Sequence, residues 1–325
     1  MKLSRRTYLR LAVGAAALPA FSRAACALDY PTRPVHWIVG FPPGGGADIV
    51  ARIMGAWLTP RLGQQVIVEN RPGAGTNIAT EYVVRSAPDG YTLLWAGVSN
   101  AINASIFSDL TFDFLKDIAP VAGMVAYPLV LEVNPKVPAQ SVAELIALAK
   151  VNPRKLTLAS YGTGTISQVA GELFKMRTGI EMVHVPYRGG APMVTDLIGG
   201  QVQAGIDVVA ASLTHIRSGA LRALAVMSAQ RLDALPDVPT LAETLPGYEA
   251  VAFTGVGAPR GTPQEVIARL NREINAGLAD PAIRKRLDEL TVTPLVFTPA
   301  EYGAYMAAET EKWAKVIRAA NIQAK

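Results

Sequence analysis

The sequence contains a single cysteine in 325 residues, and that cysteine, Cys26, lies close to the amino terminus. From residue 27 onwards the chain therefore offers no thiol nucleophile, no thiolate metal ligand and no disulfide. A chain without cysteine suits an oxidising compartment.

Histidine is almost as scarce as cysteine. His36, His184 and His215 lie far apart, and none has the spacing of a metal ligand to another. We interpret each as an ordinary strand-end or surface histidine. Residues 97–101 resemble a nucleophile elbow but lack its final glycine. The sequence thus predicts no catalytic residue, no metal site and no cofactor.

No excess of either charge remains once the first 27 residues are set aside. Those residues contain a twin-arginine pattern at 4–9, an apolar run at 11–21 and a small-residue site at 25–27, which predict an export signal cleaved after Ala27. Five of the 31 basic residues lie there and none of the 26 acidic ones, so 26 of each remain. No later segment has 18 consecutive apolar residues. We expect a periplasmic protein with no nucleic-acid partner.

A glycine-rich loop at residues 41–48 is the most informative stretch of the chain. It joins an apolar run to a segment whose apolar pairs recur every four residues, which predicts strand, loop and helix. Glycines let the backbone approach a ligand closely, and a helix start offers unpaired N–H groups with partial positive charge. The loop therefore predicts an anion site. A nucleotide is disfavoured, because Ala47 and Asp48 replace the P-loop lysine and hydroxyl, and Ile49 replaces the last glycine of a dinucleotide fold.

Strand and helix patterns alternate along the rest of the chain. Strands are predicted at residues 35–39, 65–69, 91–95, 155–159, 182–185, 203–206 and 221–227, with helices between most of them. This order predicts a parallel sheet with ligand-binding loops at the carboxyl ends of its strands. Two extended stretches, 123–133 and 250–257, are interpreted as connections between two lobes.

Helix-start signals become stronger towards the carboxyl terminus. A capping box at Ser141 opens a helix that runs to about residue 150. Thr262 and Thr298 are each followed by proline and then, three residues after the threonine, by glutamate, which predicts two N-cap threonines. Asp280 precedes Pro281 and predicts a shorter helix between them.

A second glycine-rich loop, at residues 160–165, also joins a predicted strand to a predicted helix. Glycine, serine and threonine are common in strand-to-helix turns, so either loop by itself is equally consistent with an ordinary connection. Two such loops, one in each half of the chain, favour a shared site for a ligand with an anionic group at one or both ends. Since no activated nucleophile accompanies them, binding without chemistry is the simpler interpretation.

Beyond the predicted signal, almost the whole chain resembles the Bug-type (TctC-like) solute receptors of tripartite tricarboxylate transporters. The resemblance depends on the number and order of matching segments, each of which is weak by itself. The segments are residues 41–45 with Asp48, 68–75, 87–94, 101–103, 164–165, 170–174, 183–189, 199–202 and 235–240.

The resemblance implies an α/β, two-lobed periplasmic-binding-protein-like fold (type II-like) with the ligand cleft between the lobes. Lobe 1 would be residues 28–128 plus 254–325 and lobe 2 residues 129–253, after the signal at 1–27. The family holds a small carboxylate through backbone N–H groups, hydroxyls and ordered waters. The positions that would bind substrate are Phe41, Pro42, Gly44, Gly45, Gly46, Ala47, Asp48, Ser99, Asn100, Asn103, Ser160, Gly162, Thr163, Gly164, Thr165, Tyr187 and Asp207.

The implied function is a monomeric receptor that captures a mono-, di- or tricarboxylate, aromatic acids included, and delivers it to the membrane permease subunits of a tripartite tricarboxylate transporter. Family members often have threonine where this chain has Ala47, and histidine where it has Asn100 and Gln168. These departures favour a carboxylate less polar than citrate or different in shape. Two other functions stay open, namely a sensory receptor for a membrane kinase and an enzyme on the same scaffold acting on a carboxylate or phosphate ester.

Overall fold

A computed structural model describes residues 29–322 of the chain. The predicted export signal, its cleavage site and Cys26 lie outside the described residues. From Pro31 onwards the described chain belongs to one structural unit. Within residues 29–322, no helix has the length and apolar character needed to cross a membrane.

Ten strands join in one sheet, and eleven α-helices are present in the described chain. The strands are β1 (Val35–Val39), β2 (Val66–Asn70), β3 (Thr92–Gly97), β4 (Ile118–Val133), β5 (Thr157–Ser160), β6 (Val183–Pro186), β7 (Ala204–Val208), β8 (Arg222–Val226), β9 (Val251–Pro259) and β10 (Thr293–Pro294). The helices are α1 (Gly46–Leu62), α2 (Asn77–Val84), α3 (Val98–Ile106), α4 (Phe114–Asp117), α5 (Val142–Val151), α6 (Ile166–Thr178), α7 (Gly190–Gly199), α8 (Val209–Arg217), α9 (Gln264–Ala279), α10 (Pro281–Glu289) and α11 (Pro299–Ala319).

The predicted strands all form, with ends shifted by a residue or two, but the sheet is mixed. Its order is β2-β1-β3-β9-β4-β7-β5-β6, with β8 and β10 also paired to β4. Pairing is parallel among β1, β2 and β3 and among β5, β6 and β7, whereas β4 and β9 are antiparallel to their neighbours. The expectation of a purely parallel sheet is therefore wrong. The two stretches interpreted as connections are strands at the centre of the sheet, because nearly every residue of both is apolar and buried.

The long strand β4 joins the two parallel groups of strands. Its residues 118–128 pair with β9, and residues 129–133 pair with β7 and β8. Because β3 runs in the direction of β4 and β7 runs against it, the two groups point their carboxyl ends towards each other. Gly97, the last residue of β3, pairs with Thr254 of β9, which in turn pairs with Val125 of β4. Val208, the last residue of β7, pairs with Leu129 of β4. The loops that follow both groups therefore converge near the middle of β4.

The hydrophobic core extends across both groups of strands. One cluster of buried side chains includes Ile38 and Leu94 from the first group and Leu158 and Ile206 from the second, with Trp313 of α11 packed into it. Burial on both faces explains why these strands are apolar at consecutive positions rather than at alternate ones.

Two of the three predicted helix caps, at Ser141 and Thr298, are confirmed, and the helix predicted to open at Asp280 is also capped by that residue. The side chains of Ser141, Thr298 and Asp280 each accept a hydrogen bond from an N–H group of the first turn. The prediction for Thr262 is wrong, since α9 begins one residue later than expected, at Gln264, with Pro263 as its uncapped N-cap. The Thr262 hydroxyl instead donates 2.7 Å to the Pro259 carbonyl oxygen in the turn that leaves β9.

Candidate functional site

The first glycine-rich loop follows β1 and opens α1. Gly44 has a φ of +82°, a left-handed conformation that favours glycine. Gly45 is the N-cap of α1 and has no side chain to satisfy the N–H groups of the first turn. Pro42 and Gly46 are exposed, as are these two glycines, while Phe41 and Ala47 are half-buried. The start of α1 thus presents its N–H groups and the positive end of its dipole at an open surface.

Asp48 is buried next to this loop and fixes its shape through hydrogen bonds. Its carboxylate accepts hydrogen bonds from the Gly44 N–H group at 2.9 Å, from Arg52 at 3.0 Å and from the Asn70 amide at 2.9 Å. The same Asn70 amide also donates 3.0 Å to the Phe41 carbonyl oxygen. The hydrogen bond from Arg52 is the largest influence on the Asp48 carboxyl and lowers its pKa to about 2. Asp48 therefore shapes the loop, and both of its oxygens are occupied.

Replacing Asp48 with asparagine is expected to lower the free energy of unfolding at pH 7 by about 1–2 kcal/mol, because Arg52 is half exposed and solvent weakens the pair. The pKa of Asp48 is lower in the folded protein than in the unfolded chain, where it is near 4. The ionised carboxylate therefore stabilises the fold at pH values above 4, and this stabilisation is lost as the pH falls through 2. Urea titrations at pH 7 and pH 2.5 measure the difference, which should shrink at the lower pH. Asp89→Asn is the control, since Asp89 is paired with Arg33 at an exposed site and should cost less than about 0.5 kcal/mol. Equal losses in the two variants would contradict the assigned role.

A strained loop that is not among the predicted binding residues lies beside the first one. Gly73, Ala74, Gly75 and Thr76 have φ values of +132°, +45°, +62° and +83°. Alanine and threonine rarely adopt such values, and strain of this kind tends to collect at functional sites. A Cβ on Gly40, at the end of β1, would lie 2.7 Å from Thr76 Cβ, so the two loops are in direct contact.

Two of the predicted binding residues in α3 are structural supports of that loop. Asn100 accepts a hydrogen bond from the Gly97 N–H group at 2.9 Å and donates one to Thr80 at 2.8 Å. Asn103 donates to the Gly75 carbonyl oxygen and, at 3.0 Å, to Asn77 Oδ1. Both asparagines are buried, whereas Ser99 is only half-buried.

The second glycine-rich loop follows β5 and opens α6. Gly164 has a φ of +74°, and Gly162, at +157°, lies near the edge of the same region. The Thr165 hydroxyl donates 2.7 Å to the Gly162 carbonyl oxygen and closes the loop, while Thr163 is exposed. Thr165 is also the N-cap of α6, but its side chain makes no cap hydrogen bond. Its geometry therefore matches that of the first loop, with a glycine turn and an uncapped helix start.

His184 is a residue of this site that sequence reasoning missed. Predicted to be a strand-end or surface histidine, it lies half-buried on β6 with Nε2 2.7 Å from Ser160 Oγ. Burial lowers the pKa of its imidazole and favours the neutral form. Gln168 lies 3.5 Å from His184 Nδ1 and accepts a hydrogen bond from the Gly164 N–H group at 2.8 Å. Gln168 thus links His184 to the loop backbone.

Tyr187 directly follows β6, and Asp207 lies in β7, on the other side of β5 in the same half of the sheet. The Tyr187 hydroxyl donates 2.8 Å to Asp196, and the Tyr187 carbonyl oxygen borders Gly162. Asp207 is fully buried near the end of β7, and one of its oxygens lies 3.0 Å from the position that a Cβ on Gly190 would occupy.

The structure brings the two glycine-rich loops to the same region. A Cβ on Gly164 would lie 3.5 Å from Cδ1 of Ile106, the last residue of α3, so the second loop contacts a helix of the first half. A Cβ on Gly46 would lie 3.5 Å from the Tyr127 ring, which stands at the middle of β4. The buried Tyr127 hydroxyl lies near Thr254 without a hydrogen bond of good geometry within the described chain. Tyr127 is a second candidate that the sequence did not reveal.

Other sites in the described chain are less suited to an anionic ligand. Residues 29–322 contain no cluster of histidine, cysteine and carboxylate groups that would hold a metal ion. A surface cavity of about 320 Å³ is lined by Arg154, Lys175 and residues 180–184, along the edge strand β6. It includes none of the two glycine-rich loops, and the Lys175 ammonium is paired with Glu172 at 2.7 Å. We place the candidate site at the two glycine-rich loops because the first turns of α1 and α6 have no side-chain cap, which leaves their N–H groups available to a ligand.

Comparison with known proteins agrees with this geometry. Residues 50–322 match the family model described as the tripartite tricarboxylate transporter family receptor (TctC). The chain is 41% identical over 292 residues to Protein BugT of Bordetella pertussis, covering 89% of this chain and 90% of BugT. It resembles the solved structure of R. palustris Rpa4515 with adipate, at 37% identity and a TM-score of 0.82, covering 90% of this chain and 99% of that one. It also resembles MatC of Rhodopseudomonas palustris with bound malate, at 30% identity and a TM-score of 0.78, covering 89% and 100%.

The fold and the paired loops define a periplasmic solute-binding protein of the α/β class, as expected from the sequence. The chain belongs to the receptors of the tripartite tricarboxylate transporter family. Receptors of this family bind a solute for transport and are not enzymes, which removes the enzymatic alternative. The expected family, fold and receptor function are thereby confirmed.

Proposed function

We propose that this receptor binds a small organic carboxylate between its two glycine-rich loops and delivers it to the permease subunits of a tripartite tricarboxylate transporter. The observation that carries the proposal is the convergence of two uncapped helix starts, those of α1 and α6, from strand groups whose carboxyl ends face each other. Each helix start attracts an anion. The relatives with adipate and with malate support a ligand of this chemical class.

The binding residues in this proposal fall into two groups. The first donates hydrogen bonds to the carboxylate directly, through the backbone N–H groups of residues 45–47, 162, 163 and 165 and through the Ser99 and Thr163 side chains. The N–H groups of Gly44 and Gly164 instead bond to Asp48 and Gln168 and fix the shape of the two loops. The second group holds those loops in place and includes Asp48, Asn100 and Asn103, whose side chains make hydrogen bonds within the protein. With Ala47 in place of a hydroxyl, and Asn100 and Gln168 in place of potential cations, the ligand is an acid less polar than citrate or different from it in shape.

The proposed mechanism is closure of two lobes around the ligand. Lobe 1 comprises residues 28–128 with 254–325 and lobe 2 comprises residues 129–253. Both boundaries fall within strands, β4 and β9, and these two strands act as the hinge. A ligand shifts such an equilibrium only by its differential affinity for the closed form, and contacts from both loops to one carboxylate supply that difference. We further propose that the receptor works as a monomer and that its export signal, of the twin-arginine type, is cleaved after Ala27.

The test is a ligand screen of the full chain, exported in a bacterial host and purified from the periplasm. Adipate, malate, mono- and tricarboxylates and aromatic acids are compared with sugars and amines by thermal shift, followed by calorimetry. An acid at about 100 times its Kd should add about 2.7 kcal/mol of stability and raise the melting temperature in proportion to the logarithm of its concentration. Stabilisation by sugars or amines with none from any acid would overturn the proposed function.

A further inference from the structure

Two carboxyl groups lie buried as neighbours on one face of the sheet, behind the second loop. Glu132 of β4 is opposite Gly205 of β7, and Asp207 is opposite Val130. Residues opposite each other in antiparallel strands share a face, so Glu132 and Asp207 are diagonal neighbours on it. Their exposed fractions are 0% and 1%.

Within residues 29–322, neither carboxyl is paired with a cation. Glu132 Oε1 accepts a 2.8 Å hydrogen bond from Ser212, and Asp207 Oδ1 accepts one of 2.8 Å from the N–H group of Val208. The second oxygen of each group, Oε2 and Oδ2, has no hydrogen-bond partner anywhere in residues 29–322. A buried carboxylate in such surroundings is costly unless it takes up a proton.

The elements packed against this face bring no compensating charge to the pair. Asp196 of α7 is bonded to the Tyr187 hydroxyl, and Arg217 of α8 donates to the Ala234 carbonyl oxygen. Arg222 of β8 is level with Val133, on the opposite face from Glu132, and donates to carbonyl oxygens of the loop after β4. The other titratable groups of these elements are Tyr161 at the end of β5 and His215 in the last turn of α8.

Burial raises the pKa values of both carboxyl groups. Burial, followed by the negative charge of Asp207, raises the pKa of Glu132 to about 8, and burial raises that of Asp207 to about 7. Groups this close lose their protons in two coupled steps that belong to the pair. At neutral pH the pair therefore retains at least one proton.

Asp207 aims its unbonded oxygen at the start of α7. A Cβ on Gly190, the first residue of α7, would lie 3.0 Å from Oδ2. The N-cap of α7 is Gly189, which has a φ of +114° and no side chain to cap the helix. This helix start lies beside the second loop, because the Gly189 N–H group donates to the Tyr161 carbonyl oxygen. A ligand anion at this place and an ionised Asp207 would compete for the same positive helix end.

We propose that Glu132 and Asp207 form a proton-holding pair behind the second loop, so that the receptor binds a ligand carboxylate tightly only while the pair is protonated. The neutral Asp207 donates its O–H group towards the ligand end of the site, and the ionised pair repels a carboxylate there. Glu132 does not touch the ligand and acts through Asp207 as a positioning residue. This inference rests on the proposed function and specifies the protonation state in which the same site binds an acid.

The first arm of the test uses no ligand. Carboxyl ¹³C resonances of Glu132 and Asp207, assigned with Glu132→Gln and Asp207→Asn, are followed from pH 4 to pH 9. Midpoints above pH 6 for both groups, with a single Asp207 step in Glu132→Gln, support the pair. Midpoints near pH 4 would overturn it, whichever ligand the receptor binds.

The second arm measures Kd for adipate and malate by calorimetry between pH 6 and pH 9. In the wild-type receptor, log Kd should rise with a slope approaching two above pH 8, and in Glu132→Gln with a slope of about one. Glu311→Gln, which alters an exposed pair with Lys315, is the charge-matched control and should follow the wild type. A flat wild-type profile, or equal slopes in wild type and Glu132→Gln, overturns the pair and leaves the proposed function standing. If no acid of the full ligand screen binds even at pH 6, the proposed function fails and the inference with it.

Discussion

Gly45→Val is expected to raise the Kd for the carboxylate by roughly a hundredfold or more. Gly45 has a φ of −80° and the nearest atom to a Cβ there is the Pro42 carbonyl oxygen at 3.7 Å, so valine fits the protein without strain. Its side chain would occupy the space in front of the α1 helix start, where the ligand must approach the backbone. The variant would lose two backbone hydrogen bonds to the ligand carboxylate. At about 1.5–3 kcal/mol each, this loss corresponds to a rise in Kd of a hundredfold or more. Calorimetry on the folded variant measures it.

Two companion variants separate a blocked site from a weakened fold. Gly199→Val adds the same side chain at the end of α7, where nothing lies within 4 Å, and should bind as the wild type does. Gly164→Val should also abolish binding, but valine at a φ of +74° strains the loop, so its melting temperature should fall more than that of Gly45→Val. If both Gly45→Val and Gly164→Val bind with wild-type affinity, the two loops are not the binding site.

Glu132→Gln is expected to stabilise the fold at pH 8.5 by an amount on the order of 3 kcal/mol and to have little effect at pH 4. The pKa of Glu132 is about 8 in the folded protein and near 4.5 in the unfolded chain. The protonated carboxyl therefore makes its full contribution to stability at pH values below 4.5, and this contribution is lost as the pH rises through about 8. Glutamine keeps the hydrogen bond from Ser212 but cannot ionise, so it removes that loss. Urea titrations at the two pH values measure the difference.

The control for this variant is Glu311→Gln, at an exposed position on α11. Its ion pair with Lys315 is open to solvent, so the free energy of unfolding should change by less than about 0.5 kcal/mol at either pH. Destabilisation by Glu132→Gln at pH 8.5 would show that Glu132 is ionised and compensated in the fold, contrary to the surroundings described above.

The position and type of most helices and strands were predictable because they depend on local signals. Short apolar runs, a glycine loop after β1 and caps such as Thr298 are each defined by residues a few positions apart. The cap predicted at Thr262 failed because a carbonyl oxygen of the preceding turn, that of Pro259, takes its hydroxyl. Nothing in the helix-start pattern reveals that competing partner.

The roles of individual residues in the candidate site were harder to predict. Asp48, Asn100 and Asn103 have the chemistry of ligand contacts. Yet Asp48 bonds to a residue of β2, and the two asparagines bond to residues of α2. His184 is predicted to be an ordinary histidine because its partner Ser160 is 24 residues away along the chain, outside any local motif. A donor or acceptor is available to a ligand only if the folded protein leaves it without a hydrogen-bond partner. The residue spacing within one motif does not show which partners the rest of the chain supplies.

By itself, the sequence determined that this chain carries two glycine-rich strand-to-helix loops, no thiol chemistry beyond residue 26 and the segments of the receptor family. Only the tertiary structure decided that β4 and β9 run antiparallel through the centre of the sheet, which turns the two loops towards each other. The tertiary structure alone also placed Glu132 beside Asp207, because these residues are adjacent through strand register and lie 75 positions apart in the chain. Periodicity fixes which face of a strand is buried, whereas charge pairing across strands depends on register, which long-range packing sets.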